Sequence, residues 1–446
     1  MLLEKYWPQG IKRCQQIYGA IEYKLCGYPF QQTWSDTDSE SLQAQIMCGY
    51  FLKELLTQGW TLVASSDLSR DLERTAWFFR RSTPIVLDQR YTNVPNFTVS
   101  KSDRLIFLHL NQQMQRELIA LINTTYRKGV QEVLQLGSDG VRIKLNGYPW
   151  YEKWNLENEA RPLLLAVLQY FEQRGYYFYG NASLQGQNDT VYFMPLTLPW
   201  PLRINPPLEP ASENRYFAIG LDRKDRLRLL NCPDIVLDNI IEVTILQFWP
   251  KGIQDKKQIG NWFEYKLAGY PWCANGYETV EARLLLTQIF QNLHLHGWAI
   301  MAALDTSRSL DDTSFLIFRS TPSRSMHYMC LSLNEADKIR LINAPSDVVK
   351  VIHDTIQTYY AYGIKRFENY GSVPEFKLNG APWSGYRDYS KHSRQLLMLL
   401  MDCLVKLGFG FAISADVSAK YYSDSDNSSN DHKIDVHSWW FARPIS

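Results

Sequence analysis

Three absences narrow this chain before any motif is read. No run of about 18 apolar residues occurs, so no membrane-spanning helix is expected. Residues Met1 to Gly10, with Glu4, Lys5 and Pro8, lack the apolar core of a signal peptide. Charge of one sign is missing too: 47 Lys and Arg against 46 Asp and Glu leave a net charge of +1. A protein that neutralises many phosphates carries a basic excess or stripe. Here basic runs stop at pairs such as Arg80-Arg81 and Lys256-Lys257, which disfavours nucleic acid as a partner. The seven cysteines, Cys14, Cys26, Cys48, Cys232, Cys273, Cys330 and Cys403, are odd in number and contain no Cys-x-x-Cys. A secreted protein with internal repeats would repeat its disulfides, so a reducing compartment, cytoplasmic or nuclear, is expected.

Chemical signatures are as scarce. The chain has no nucleophile elbow, phosphate loop, Gly-rich dinucleotide turn or His-Glu-x-x-His. His294 and His296 stand two apart on a predicted helix and so face different ways. His432, Asp435 and His437 lie in or beside a polar loop with no further ligand type nearby. No metal, no cofactor and no catalytic residue is expected. A scattered triad would escape this reading, so an enzyme with one active unit stays as an alternative.

What is present is repetition. A strand-like run ending in Lys-Leu-x-Gly-x-Pro-aromatic occurs at Lys24 to Phe30, Lys144 to Trp150, Lys266 to Trp272 and Lys377 to Trp383. The lysines are 120, 122 and 111 residues apart, which is domain-sized spacing. The Gly-x-Pro reads as a strand-ending turn. An apolar helix follows each motif, clearest over Thr279 to His296. Gly59, Gly175, Gly297 and Gly408 close these helices, since glycine suits the left-handed position past a helix end. Two strands come next, and then, three times, a hairpin around Asp103, Asp225 or Asp337 and a second helix.

The expected fold is α+β: four tandem homologous units, each a mainly antiparallel sheet packed on a buried helix, joined by connectors of a β-hairpin plus a helix. The division expected is a residual connector helix over 1–9 and units over 10–128, 129–251, 252–362 and 363–446. The last unit lacks a connector after it. That predicts an open sheet edge or apolar face in the C-terminal unit, through which an oligomer could form.

Candidate site residues are those at matched positions. The lysines Lys24, Lys144, Lys266 and Lys377 read either as ligand contacts or as strand lysines paired locally. The rings of Phe30, Trp150, Trp272 and Trp383 read either as stacking platforms for a partner or as plugs closing each core. Asp67, Asp305 and Asp416, with Arg81, Arg319 and Arg443, read as a brace across each hairpin. Arg161, Arg283 and Arg394 are expected to pair with carboxylates such as Glu159 or Glu281. The functional expectation is a non-catalytic intracellular scaffold or adaptor that binds other proteins. The alternative is a lipid or small-ligand binding protein with pockets beneath the Gly-x-Pro turns.

Overall fold

The structure, a computed structural model, describes residues 2–17, 19–30, 39–66, 68, 75–86, 93–150, 160–184, 189–195, 215–260, 262–305, 313–383, 387–418 and 437–445. The first segment holds α1 (Leu2–Tyr6), β1 (Ile11–Ile17), β2 (Ala20–Leu25), α2 (Ser39–Thr57), β3 (Trp60–Ser66) and β4 (Ala76–Arg81). The second holds β5 (Asn96–Ser100), β6 (Arg104–Leu108), α3 (Gln112–Thr125), β7 (Val130–Leu136), β8 (Gly140–Leu145), α4 (Ala160–Gln173), β9 (Tyr176–Ala182) and β10 (Thr190–Pro195). The third runs β11 (Tyr216–Asp222), β12 (Arg226–Leu230), α5 (Asp234–Val236), a π-helical turn (Leu237–Ile241), α6 (Glu242–Phe248), β13 (Ile253–Ile259), β14 (Trp262–Leu267), α7 (Glu278–Leu295), β15 (Trp298–Leu304) and β16 (Phe315–Ser320). The fourth has β17 (Met326–Asn334), β18 (Lys338–Ile342), α8 (Ser346–Tyr359), β19 (Ile364–Tyr370), β20 (Val373–Leu378), α9 (Arg387–Lys406), β21 (Gly410–Ala415) and β22 (Ser438–Pro444).

The α+β class and the fourfold repetition hold, with antiparallel pairing throughout the sheets. The phase of the repeat differs from the one expected. The hairpins taken as connectors bond to the strands after them: β6 pairs with β8, β12 with β14 and β18 with β20. They also pair on their other side, β5 with β10, β11 with β16 and β17 with β22. Each complete sheet therefore has six strands, in the order β7-β8-β6-β5-β10-β9 and its two counterparts. The reason is physical: β6, β12 and β18 are buried along nearly their whole length and need a partner on each edge. The fourth sheet thus has the same six strands as the second and third, so the lack of a connector after it does not leave it a hairpin short. Among the described residues of 1–81, β1–β2 and β3–β4 form separate two-stranded sheets.

The units close into a ring. Strand β3 packs on β9, β9 on β15, β15 on β21, and β21 back on β3. The apolar clusters cross the seams: one joins α7 to β17 and β22, and another joins Leu68 and Phe78 to Trp439. Gly59 and Gly297 show why glycine ends the helices that lead into this ring. Their φ values are +82° and +83°, and an added Cβ would meet the carbonyl oxygens of Ser82 and Thr321 at 2.5 and 2.8 Å. Among the described residues no helix is long and apolar enough to cross a membrane.

Candidate functional site

The four motif aromatics do not share one environment. Trp150, Trp272 and Trp383 are buried. Their indole N–H groups donate to the carbonyls of Arg104, Arg226 and Lys338 at 3.1, 2.8 and 3.1 Å. Their backbone N–H groups bond to Ser102, Lys224 and Ala336. Each ring thus fastens the end of one hairpin to the turn of the next, which is the core-closing alternative. No face of these rings is open for stacking. Phe30 is the exception, 37% exposed. Its side chain has no N–H, and among the described residues of 1–81 no hairpin lies between β2 and β4.

The motif lysines serve the same turns. Lys144 lies 3.9 Å from Asp103, and Lys377 lies 3.6 Å from Asp337. Lys266 is half-buried opposite Arg226, and Lys24 is exposed on β2. A third aromatic device sits behind the motif. Trp7 and Trp249 donate through Nε1 to the carbonyls of Cys26 and Ala268, and Tyr126 and Tyr360 do so through their hydroxyls to Asn146 and Asn379.

The expected braces form differently. Arg319 does not pair with Asp305. It bonds the buried carboxylate of Glu172 in the preceding unit, which also accepts from the Tyr216 hydroxyl. Burial works against charge on Arg319, yet the Glu172 carboxylate holds its pKa above the usual value. Tyr177 beside them is pushed up to about 12, first by burial and then by the Glu172 charge. Arg443 meets Asp347, at 3.2 Å. Strand pairing also shows that Arg319 occupies the place of Arg80, not Arg81: Arg319 faces Ala299 as Arg80 faces Thr61. Arg161 bonds Asp222 of the next unit at 3.3 Å, and Arg283 bonds the Ser438 hydroxyl at 2.9 Å. Arg161, Arg283 and Arg319 are therefore stitches between units, while Arg443 pairs inside the fourth. A pattern within one unit could not have exposed the first three, since their partners belong to the neighbouring unit. Asp67, Glu159, His432 and Asp435 lie outside the described residues.

Asp305 and Asp416 do serve structure, at the ring's inner wall. The Asp305 N–H donates to Asp189 Oδ2 at 2.8 Å, and Asp189 N–H donates back to the Asp305 carbonyl. Asp416 and Ser314 repeat this exchange at 2.9 Å, and Ser183 N–H donates to Thr75 Oγ1 at 2.8 Å. One latch thus recurs at three seams. At the fourth seam, Trp439 Nε1 and Ser414 Oγ both donate to Ser66 Oγ.

The ring axis carries two chambers. The first is lined largely by apolar groups of β3, β9, β15 and β21, among them Leu62, Phe178, Ile300 and Phe411. The second is polar, with Asn181, Asp189, Asp305, Asp416 and His437 in its wall. They share Ser65, Asn181 and Ser414. The space open to water centres is about 90 Å³ in one and about 110 Å³ in the other. Each could take several waters, but each falls short of the roughly 300 Å³ at which pockets for drug-sized ligands begin. Among the described residues no group of three or more His, Cys, Asp and Glu side chains is placed to hold a metal.

What the motif does present to solvent is the residue between its Gly and Pro. Tyr28, Tyr148 and Tyr270 are 71%, 62% and 59% exposed. The fourth unit has Ala381 there. The distinguishing signal was the Gly: with φ of +71°, +80° and +83° at Gly27, Gly147 and Gly269, the turn throws the next side chain outward.

No curated protein and no solved structure matches this chain. One family model does, over residues 1–80, 96–194, 215–319 and 327–442, and its second to fourth matches begin at the inner hairpins, as the six-stranded sheets do. The chain therefore belongs to this family of domains of unknown function, as four tandem copies.

Proposed function

We propose that this protein is a non-catalytic scaffold that binds other proteins through tyrosines displayed on the outside of its ring. The observation that carries this reading is the exposure of Tyr28, Tyr148 and Tyr270 at three equivalent turns. Tyrosine offers large amphipathic contact area for little entropy cost, and large exposed aromatics concentrate where proteins meet. The turns are rigid, because each is pinned from behind by a buried Trp or Tyr that donates to its carbonyl. Three copies on one frame can be engaged together, and linked sites raise avidity without new contacts. The buried charged groups are engaged in ion pairs, Arg228–Glu264 and Arg340–Glu375 inside a sheet and Arg319–Glu172 across a seam. Seven free cysteines, Cys14 among them exposed, fit a reducing compartment.

The test is a triple variant, Tyr28→Ala, Tyr148→Ala and Tyr270→Ala. Quantitative affinity capture from the native cell should recover a set of proteins with the wild type and lose it with the variant. The variant's melting temperature should stay within about 2 °C of wild type, because exposed side chains contribute little to stability. Equal recovery by both proteins would end this reading.

A further inference from the structure

Each six-stranded sheet ends, on the side away from the ring axis, in an edge strand: β7, β13 or β19. Among the described residues each of the three bonds to one neighbour only. Their burial patterns agree, exposed throughout between half-buried ends. What differs is the middle. Val133, Lys256 and Phe367 hold one position, opposite Ile143, Tyr265 and Phe376. Phe367 is 45% exposed, and its ring stacks on Phe376 at 4.6 Å and lies 5.5 Å from His353 of α8. Arg366 and Glu368 flank it on the other face of the strand, 2.9 Å apart. The hairpin that carries them is held at its tip, where the Tyr277 and Ser372 hydroxyls bond at 2.7 Å. Residues 363–383 are described throughout.

We propose that β19 is a dimerisation edge, which pairs antiparallel with β19 of a second copy of this chain about a two-fold axis at Phe367. This goes beyond the tyrosine reading and does not rest on it. Backbone alternation selects the centre. Asn369 stands opposite Pro374, and Phe367 opposite Phe376. Pro374 has no N–H, so its pair is a non-bonded one, and the Phe367–Phe376 pair is the next of that kind. The N–H and C=O groups of Phe367 and Asn369 therefore point to the free edge. A two-fold axis at Phe367 joins its N–H and C=O to those of the partner's Phe367. It sets Glu368 opposite the partner's Arg366, and Arg366 opposite the partner's Glu368, at the positions where side chains come closest. Lys365 falls beside the partner's Asn369. The edge is thus self-complementary in charge, with an aromatic pair at its centre.

The other edges are not. The same operation sets Lys256 against itself in β13. In β7 it gives Glu132, already tied to Arg142 at 2.7 Å, only Leu134. Nor does β19 fit those strands, since Glu368 would face Asp255 or Glu132. Strand β1 offers one charge pair, through Arg13, where β19 offers two. A two-fold contact closes, so assembly stops at two copies.

Sedimentation velocity of the full chain over about 1–100 μM tests this. Wild type should pass from monomer to dimer, and amide exchange at Phe367 and Asn369 should slow as it does. Arg366→Glu and Glu368→Arg each set like charges opposite one another, and each should weaken association at least about tenfold. The two variants mixed should form a heterodimer, because one then carries acids at both positions and the other arginines. The double variant, Arg366→Glu with Glu368→Arg, exchanges both signs and should associate as wild type does. Both side chains are exposed, so melting temperatures should stay within about 2 °C of wild type. A wild-type chain still monomeric at about 100 μM overturns the proposal. So does a dimer that both single variants leave intact, or a loss that the mixture does not recover. Growth past two copies overturns it as well, because the contact then joins unlike edges. The Tyr28→Ala, Tyr148→Ala, Tyr270→Ala variant should dimerise as wild type does, so this reading and the tyrosine reading fail separately.

Discussion

The first and fourth segments begin from the same sentence and end in different states. Residues 326–444 have six strands and a buried Trp383. The described residues of 1–81 hold four strands in two pieces and a half-open Phe30. The difference lies in the inner hairpin, not in the motif. With it, the motif strand is a central strand with an apolar face on the core. Without it, the same strand is an edge, and its side chains face water. A repeat domain's burial pattern is thus set by what its neighbours in the sheet supply.

The sharpest way to break this comparison is to delete the same ring in both places. Trp383→Ala removes a fully buried indole and its bond to Lys338, and should cost about 3–5 kcal/mol. Phe30→Ala should cost about 1 kcal/mol or less, because that ring is already partly in water. Urea unfolding of the two variants decides. Equal losses would mean that the gap in the first segment is closed in solution.

Next in size is the contrast between a seam charge and a surface charge. Glu172→Ala leaves the Arg319 guanidinium buried without its carboxylate, and should cost about 3–5 kcal/mol. Glu54→Ala breaks the partly exposed pair with Lys5, and should cost about 1 kcal/mol at most. A seam that tolerated the loss of Glu172 would show that the units are held by apolar contact alone.

These contrasts mark what was legible in the sequence. Strand, turn and helix periodicity gave the α+β class and the number of units, because alternation and Gly-x-Pro turns are local properties. The phase was not legible. A hairpin between two cores reads identically whether it closes the first or opens the second, and only strand pairing across about 40 residues, as from Arg226 to Lys266, decides it. The arginines were visible as matched positions, but their partners, Glu172, Asp222 and Ser438, lie one unit away. The motif left two readings of its tryptophans open, and burial of Trp150, Trp272 and Trp383 matches the core plug. The exposure of the tyrosines beside them follows from backbone φ and not from residue type.

A third contrast concerns the histidines. His294 is buried on α7 with Nδ1 on the Tyr328 hydroxyl at 2.8 Å, and Nε2 has no hydrogen-bond partner. Burial lowers its pKa to about 4, with a smaller contribution from Arg324. The sign follows directly. Above the unfolded value of about 6.5 both states are neutral and nothing is lost. As pH falls below it, the unfolded chain takes up a proton that the folded chain refuses, so stability drops until pH nears 4. The loss is at most about 3 kcal/mol. His294→Phe should flatten the stability profile between pH 6.5 and 4.

The smallest effect separates the closing seam from the other three. Trp439 donates to Ser66 Oγ and packs edge-on against Phe78, with ring centroids 5.3 Å apart. Trp439→Phe keeps an aromatic ring there and deletes the N–H, which should cost about 1 kcal/mol. Where that loss falls is more informative than its size. Among the described residues β3 and β4 pair only with each other, and β3 packs on β21 and β9. Opening should therefore be confined to β3 and β4, read as faster amide exchange over residues 60–66 and 76–81, while residues 326–378 keep wild-type protection. Exchange rising equally in both would show that the ring opens as one cooperative body, and that the first segment is as firmly built as the fourth.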